Sequence, residues 1–344
     1  MSSRPTIDDV AQAAGVSKAT VSRVLNGNDH YMRDATRQRV EQAITDLQYR
    51  PSSVARSLTS RRTYTVGLLL SDVSNPFYPD VIHGVEDAAF EHGYDVFLCN
   101  TNYDLDRGLR FVRSLVDKQV DGVLVMSSTM SDGWLLELQQ AGIPTVVLDW
   151  EAAPGVTACK IVTDFAPGIR AAVDHLWNLG HRRFAHVSGP LNLPTARRRR
   201  DIYLAALADK GISATTVPVV EGNFRINGGR EAMPELLALP ELPTAIFAAN
   251  DLMAMGLLTA AREQRIVVPG DLSIIGMDDI WLALETDPAL TTVALPRYEI
   301  GTTAMTMLLD ILQKHDEGEP VYTLPHHVIH THLITRASTG VPTA

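Results

Sequence analysis

Only two cysteines occur in 344 residues, Cys99 and Cys159, far apart and in neither a metal-binding nor a redox spacing. That scarcity excludes a disulfide framework and fits a reducing cytoplasm. Long apolar runs are also missing. Hydrophobic residues make up 45% of the chain, yet no stretch reaches the roughly 20 residues needed to span a bilayer. The N-terminus, MSSRPTIDDV, has no apolar signal core, which argues against export. There is no GxGxxG after a strand, no phosphate loop, no nucleophile elbow and no zinc-type His/Glu spacing. What remains is a soluble chain long enough for two or three compact units.

The net charge of −10 is unevenly spread. Residues 1–62 hold ten Lys/Arg and six Asp/Glu, a net +4, and the remainder is −14. A basic head on an acidic body suits nucleic acid, because the electrostatic footprint belongs to one module.

Within the head, Ile7, Val10, Ala11 and Ala14 fall at i, i+3, i+4 and i+7, the stripe of a short helix. Thr6 with Asp9 makes a capping-box start, and Gly15 ends the helix in a tight turn. Ser17 can cap a second helix that buries Val21, Val24 and Leu25 and shows Lys18, Ala19, Ser22, Arg23 and Asn26. This is the pattern of a helix-turn-helix, whose second helix lies in the DNA major groove. Val40, Ala43, Ile44 and Leu47 repeat the stripe and predict a third helix closing a headpiece over residues 1–50. In RPSSVARSLTSRRT, Pro51 breaks that helix and Ser52 can start a short one with Val54, Ala55 and Leu58 on a face. Residues 51–62 thus read as a linker that orders with a partner.

From Tyr64 onward, apolar strands alternate with amphipathic helices, as in parallel sheets covered on both faces. A helix–Gly–strand junction recurs in EHGYDVFL, QAGIPTVVL, NLGHRRFAHV and DKGISATTVPVV. The repeats divide into two doubly wound α/β lobes. One is expected over about 63–163 with 293–325, the other over 164–290 with 326–340.

Gly15-Val16-Ser17, Thr20 through Asn26 and Ala55-Arg56-Ser57-Leu58 closely resemble the lactose-repressor (LacI/GalR) family of bacterial transcription regulators. The resemblance continues through Asn75-Pro76-Phe77-Tyr78, Val120-Asp121-Gly122, Ala249-Asn250-Asp251, Gly276-Met277-Asp278-Asp279 and Leu290-Thr291-Thr292, covering nearly the whole chain in order. Within the family, LCNT, VDGVLVMS, Asp149-Trp150 and SGPL are most similar to the ribose and purine repressors. The resemblance implies an α/β fold: a three-helix helix-turn-helix headpiece and a periplasmic-binding-protein-like body of two parallel-sheet lobes. It also implies a homodimer that binds a palindromic double-stranded operator, with a small effector between the lobes.

DNA contacts carried over from the resemblance fall on Thr6, Ser17, Lys18, Ala19, Thr20, Ser22, Arg23, Asn26, Ser52, Ala55, Arg56 and Leu58. Lys18 and Arg23 can reach guanine edges or only phosphate. Leu58 matches the family's minor-groove wedge, or it packs between paired hinge helices. Effector contacts fall at strand C-terminal ends: Asn75, Phe77, Asp149, Trp150, Arg197, Phe224, Asp251 and Asp278. The aspartates can bind hydroxyls or cap helices. Of the four arginines from Arg197 to Arg200, Arg197 is matched to the family's effector arginine.

Three departures bear on the effector and the head. Leu295 stands where sugar-binding relatives usually have Gln, and Met277 replaces a Tyr. The loop before the third helix carries Met32-Arg33, leaving Asp34 as a substitute cap. A ribose-type pentose is the first expectation and a purine the second. A phosphorylated sugar is disfavoured, since it would meet three carboxylates with one arginine. No cofactor, metal or membrane partner is expected, although His326, His330 and His332 would share a face on one continuous strand. The rival functions are an enzyme on a Rossmann-like body and an exported sugar-binding protein. No leucine heptads follow the last strand, so a dimer without a tetramerising tail is expected.

Overall fold

The computed structural model describes residues 5–25, 32–50, 62–150, 154–156, 158–316 and 327–343. Two units divide the chain, residues 1–63 and 64–344. Asn26 and the linker positions Ser52, Ala55, Arg56 and Leu58 lie outside the described residues.

The head contains α1 (Ile7–Ala14), α2 (Lys18–Leu25) and α3 (Asp34–Asp46). Its small core is Val10, Ala11, Ala14, Val21, Val40 and Ala43, edged by half-buried Val24, Leu25, Ile44 and Leu47. The capping box forms in full: Thr6 Oγ1 accepts from Asp9 N–H at 3.3 Å while Thr6 N–H donates to the Asp9 carboxylate at 2.7 Å. Gly15 ends α1 at φ 64°, the left-handed region where a Cβ costs energy. Ser17 Oγ accepts from Thr20 N–H at 3.2 Å at the start of α2. Asp34 does not cap α3. Arg33 occupies the N-cap without a side-chain bond, and Asp34 lies inside the first turn, where its charge opposes the helix dipole end.

The body alternates strand and helix throughout. Its elements are β1 (Thr65–Leu70), α4 (Phe77–Glu91), β2 (Asp95–Asn100), α5 (Leu105–Asp117), β3 (Gly122–Met126), α6 (Asp132–Gln140), β4 (Thr145–Leu148) and β5 (Cys159–Asp164). The second half has α7 (Ala166–Asn178), β6 (Phe184–Ser188), α8 (Pro194–Ala208), β7 (Val219–Glu221), α9 (Ile226–Leu237), β8 (Ala245–Ala248), α10 (Asp251–Glu263) and β9 (Ser273–Asp278). It ends with α11 (Leu282–Glu285), β10 (Thr291–Ala294), α12 (Arg297–Asp316), β11 (His327–His330) and β12 (His332–Ile334). One sheet runs β11-β5-β4-β3-β1-β2 and the other β12-β10-β9-β8-β6-β7. Among the described residues all pairings are parallel except β10 with β12. The glycines of the four junctions, Gly93, Gly142, Gly180 and Gly211, all have positive φ.

The crossovers differ from the sequence boundaries. β10 belongs to the second sheet, so the chain returns to the first lobe at Leu295-Pro296 rather than near 293. Pro296 lacks the N–H that a further ladder bond would need. Helix α12 then lies against α4, where a Cβ on Gly84 would overlap the Tyr298 carbonyl and one on Gly301 the Val81 carbonyl. Residues 326–340 serve both sheets: β11 joins the first and β12 the second. Between them, Thr331 Oγ1 donates to the Asp164 carbonyl at 2.9 Å and accepts from Gly168 N–H at 3.1 Å. This switch separates His330 from His332, so the two do not lie on one continuous strand, and His326 lies outside the described residues. Among the described residues no group of three metal-ligating side chains occurs, and no helix is long and apolar enough to cross a membrane.

Candidate functional site

On the head, burial of Val21 leaves Lys18, Ala19 and Arg23 on the exposed side of α2, with Thr20 and Ser22 half-buried. Thr6 and Ser17 are engaged as helix caps. Lys18 Nζ lies 2.7 Å from the Asp8 carboxylate on α1, and both side chains are exposed.

In the body, a cleft between the lobes is lined by the C-terminal ends of strands from both sheets, where open α/β sheets bind ligands. The cavity volume is about 70 Å³. With about 10–15 Å³ needed per water on this scale, it holds about five waters.

From the first lobe come Asn75, Phe77, Tyr78, Tyr103, Ser127, Ser128, Asp149, Trp150 and Thr163. Asn75 Oδ1 accepts from Phe77 N–H at 3.0 Å and starts α4, which places the Phe77 ring on the cavity wall. Asp149 sits at φ 52° after β4 and accepts from Thr163 N–H at 2.6 Å. Trp150 Nε1 donates to Asp132 at 3.2 Å. Burial raises the Asp149 carboxyl above its ordinary range, against the bond from Thr163 N–H and the charges of Arg198 and Arg199.

The second lobe supplies Pro194, Thr195, Arg199, Phe224, Asn250 and Asp278, with Leu295 at the crossover. Asn250 caps α10, and its Nδ2 donates to the Phe224 carbonyl at 2.9 Å. That bond fixes Phe224 at φ 61°, its ring packed where a Cβ on Gly189 would collide with it. Arg199 Nη1 donates to the Ala249 carbonyl at 2.6 Å, and Nη2 lies 3.4 Å from Asp278 Oδ1. Burial lifts the Asp278 carboxyl to about 6, opposed by Arg199 and Arg297. Among the described residues, three groups that line the cleft hold a buried atom without a hydrogen bond: Thr163 Oγ1, Arg199 Nε and Asp278 Oδ1, the last ion-paired with Arg199. Buried polar atoms are rarely left so, and the three residues that carry them line one space.

The cleft therefore gathers Asn75, Phe77, Asp149, Trp150, Phe224 and Asp278, but not Arg197 or Asp251. Arg197 is exposed on α8 and donates to the Leu191 carbonyl at 2.7 Å. The inward stripe of that helix is Ala196, Arg199, Tyr203 and Ala206, so its inward arginine is Arg199, two positions further on. Asp251 is fully buried and accepts from Thr292 Oγ1 at 2.5 Å and Ile280 N–H at 2.9 Å, pinning α10 to the strands beside it. Met277 is buried in β9 outside the cleft. Among the residues that sequence reasoning missed, Tyr103, Ser127, Ser128 and Asn250 follow strand ends closely. The strand-end rule applied at every strand would have found them.

Comparison with known proteins places these features in a family. Residues 6–52 match the model for bacterial regulatory proteins of the lacI family, and residues 173–339 match a periplasmic binding protein-like domain. The chain is 36% identical over 335 residues to the HTH-type transcriptional repressor PurR of Aliivibrio salmonicida, covering 97% of this chain and 98% of that one. It is 39% identical over 305 residues to the ribose operon repressor of Escherichia coli, covering 88% and 92%. The lac repressor dimer bound to operator and the anti-inducer ONPF superposes with a TM-score of 0.86 at 26% identity, over 98% of this chain and all of that one. These relatives are transcriptional repressors, not enzymes. A helix-turn-helix head joined to a two-lobed body, with such relatives along nearly its whole length, makes this chain a DNA-binding transcriptional repressor that belongs to the lacI family.

Proposed function

We propose that the protein represses carbohydrate-utilisation genes in the cytoplasm, binding a palindromic operator as a homodimer under control of a ribose-type pentose in the cleft. The observation that carries the effector reading is that Thr163, Arg199 and Asp278, each with a buried atom that makes no hydrogen bond among the described residues, line the cleft with Phe77, Trp150 and Phe224. A hydroxyl, a guanidinium N–H and a carboxylate oxygen match the donors and acceptors of sugar hydroxyls. The aromatic faces suit the apolar side of a small ring. Space for about five waters fits one monosaccharide better than two. The names of the ribose operon repressor and of PurR among its relatives support a pentose and a purine respectively. A purine remains the second reading because Phe77 and Phe224 can both take a planar base.

On the head, Lys18, Ala19 and Arg23 are exposed together on α2, the placement a major-groove helix requires. Dimerisation is supported by β2, an edge strand with Phe97 and Leu98 exposed to 44% and 48%. Calorimetry of the full chain against pentoses, hexoses and purines tests the effector. Tight binding of a purine with no sugar response would replace the pentose. Gel shifts with a symmetric site of roughly 16–20 base pairs test the operator, since half-sites lie about one helical turn apart. Binding as a monomer to a single half-site would overturn that part.

A further inference from the structure

A second cavity, of about 790 Å³, adjoins the cleft and shares with it the wall of Asp149, Trp150, Pro194 and Thr195. Its described lining is basic: Lys160 on β5, Arg170 on α7, and Arg197 and Arg198 on α8, against Asp149 and Asp201. Most of these charges are already satisfied. Asp201 pairs with Arg200 at 2.6 Å, Asp149 with Arg198 at 3.3 Å, and Arg170 with Asp209. Among the described residues two cations are left over. Arg197 spends one Nη on a backbone carbonyl and has no ion pair among the described residues, and Lys160 has neither a hydrogen bond nor an ion pair there. The N-terminus of the 15-residue α8, which has no side-chain cap, lines the same space through Pro194 and Thr195. Helix N-terminal N–H groups and a guanidinium fork are the donors that bind phosphate oxygens. In a body of net charge −14 this local excess of positive charge stands apart from its surroundings.

We propose that the outer cavity is an anion subsite that takes a phosphate dianion on Lys160 and Arg197. The electrostatic objection to a phosphorylated ligand counted three carboxylates against one arginine. In the structure Asp251 lies outside the cleft, while Asp149 and Asp278 each face an arginine of their own. The dianion has two possible sources, the ester of a sugar whose ring occupies the cleft or free inorganic phosphate. Only the first source rests on the pentose reading above.

The test is calorimetry of the full chain at fixed ionic strength with D-ribose, D-ribose 5-phosphate and inorganic phosphate. If the source is the ester, the 5-phosphate binds at least about tenfold tighter than ribose, the scale of one charged hydrogen bond. Lys160→Ala with Arg197→Ala then removes that gain and moves ribose affinity less than twofold. If the source is free phosphate, inorganic phosphate binds alone, and the double variant abolishes it. Equal affinity for ribose and its phosphate, with no binding of inorganic phosphate, overturns the subsite. So does a tighter ester whose advantage survives the double variant. Loss of phosphate binding in the variant, with ribose never binding, sinks the pentose reading and keeps the subsite. Should Arg197→Ala disturb the Leu191 turn, Lys160→Ala alone decides, because it breaks no bond among the described residues.

Discussion

In the head, Lys18, Ala19 and Arg23 stand outside a core of six small and medium apolar side chains. In the body, Thr163, Arg199 and Asp278 lie inside, each less than a tenth exposed and walled by two sheets. The head can hold its surface residues with local structure alone, since a cap, a turn and a helix stripe fix which way each points. The body's polar residues are held by partners far away in sequence, and removing one leaves another buried without its counterpart. Substitutions should therefore cost more in the body than in the head, and more inside α8 than on its surface.

The largest expected effect is Arg199→Ala. It leaves Asp278, 4% exposed, without the guanidinium 3.4 Å away, and the Ala249 carbonyl without its donor. Breaking a buried pair from one side costs about 3–5 kcal/mol. Urea unfolding of the body should show this for Arg199→Ala and about 1 kcal/mol or less for the exposed Arg197→Ala. Equal losses would erase the distinction between the two faces of α8.

His186 sharpens the same contrast through pH. It is fully buried between Tyr203 and Phe247, ring centroids 5.3 and 5.5 Å away, with Nδ1–H on the Phe247 carbonyl and Nε2 unpartnered. Burial, with the charges of Arg200 and Arg199, lowers its pKa from 6.5 to about 4. Between those values the unfolded chain binds a proton that the native chain refuses. The stability it contributes is complete above pH 6.5 and is lost as pH falls through the window, on the order of 3 kcal/mol. Asp278 has the opposite sign: raised to about 6, it favours the native state at low pH and loses that contribution as pH rises through 6. His186→Phe keeps a ring in the stack and removes only the first effect. Relative to the unsubstituted protein, it should gain stability steadily from pH 6.5 down to 4 in denaturant titrations. A parallel pair of curves would mean that His186 is protonated in place.

A smaller loss is expected from Val10→Ala, which empties part of a head core that has few other members. About 2 kcal/mol should go, seen as a lower first transition by scanning calorimetry with the body transition unmoved. Movement of both transitions together would show that the two units unfold as one.

The same contrast explains what could be read from the sequence. Thr6, Asp9 and Gly15 announce α1 because a capping box and a left-handed cap are local events. The strand–helix alternation and the Gly junctions likewise reveal two parallel sheets. Arg199 could not be told from Arg197 by residue type, because four arginines in a row differ only in helical phase. Phase was available in the sequence: Ala196, Tyr203 and Ala206 mark the inner stripe. Asp251 looked like a ligand for the opposite reason. Its bonds to Thr292 and Ile280 come from segments some 30–40 residues away, which no local pattern encodes. The crossover at Thr331 is non-local in the same way, joining Asp164 and Gly168 across more than 160 residues.

The smallest effect expected on folding comes from Asp8→Asn on the head, where the comparison predicts almost none. Asp8 and Lys18 meet at 2.7 Å with both side chains more than half exposed, and exposed pairs contribute little to stability. Asparagine at position 8 preserves shape and the first turn of α1 while removing the charge that holds Lys18. The first calorimetric transition should stay where it is. Operator affinity should move instead. A lysine that reaches a phosphate or a guanine must first leave Asp8, and a carboxylate facing the duplex repels it. Binding by Asp8→Asn should therefore strengthen severalfold at low salt, and the gain should shrink as salt rises and screens the charge. A gain that is independent of salt would place Asp8 away from the duplex. A lower first transition would mean that the head, like the body, depends on its charged pair to fold.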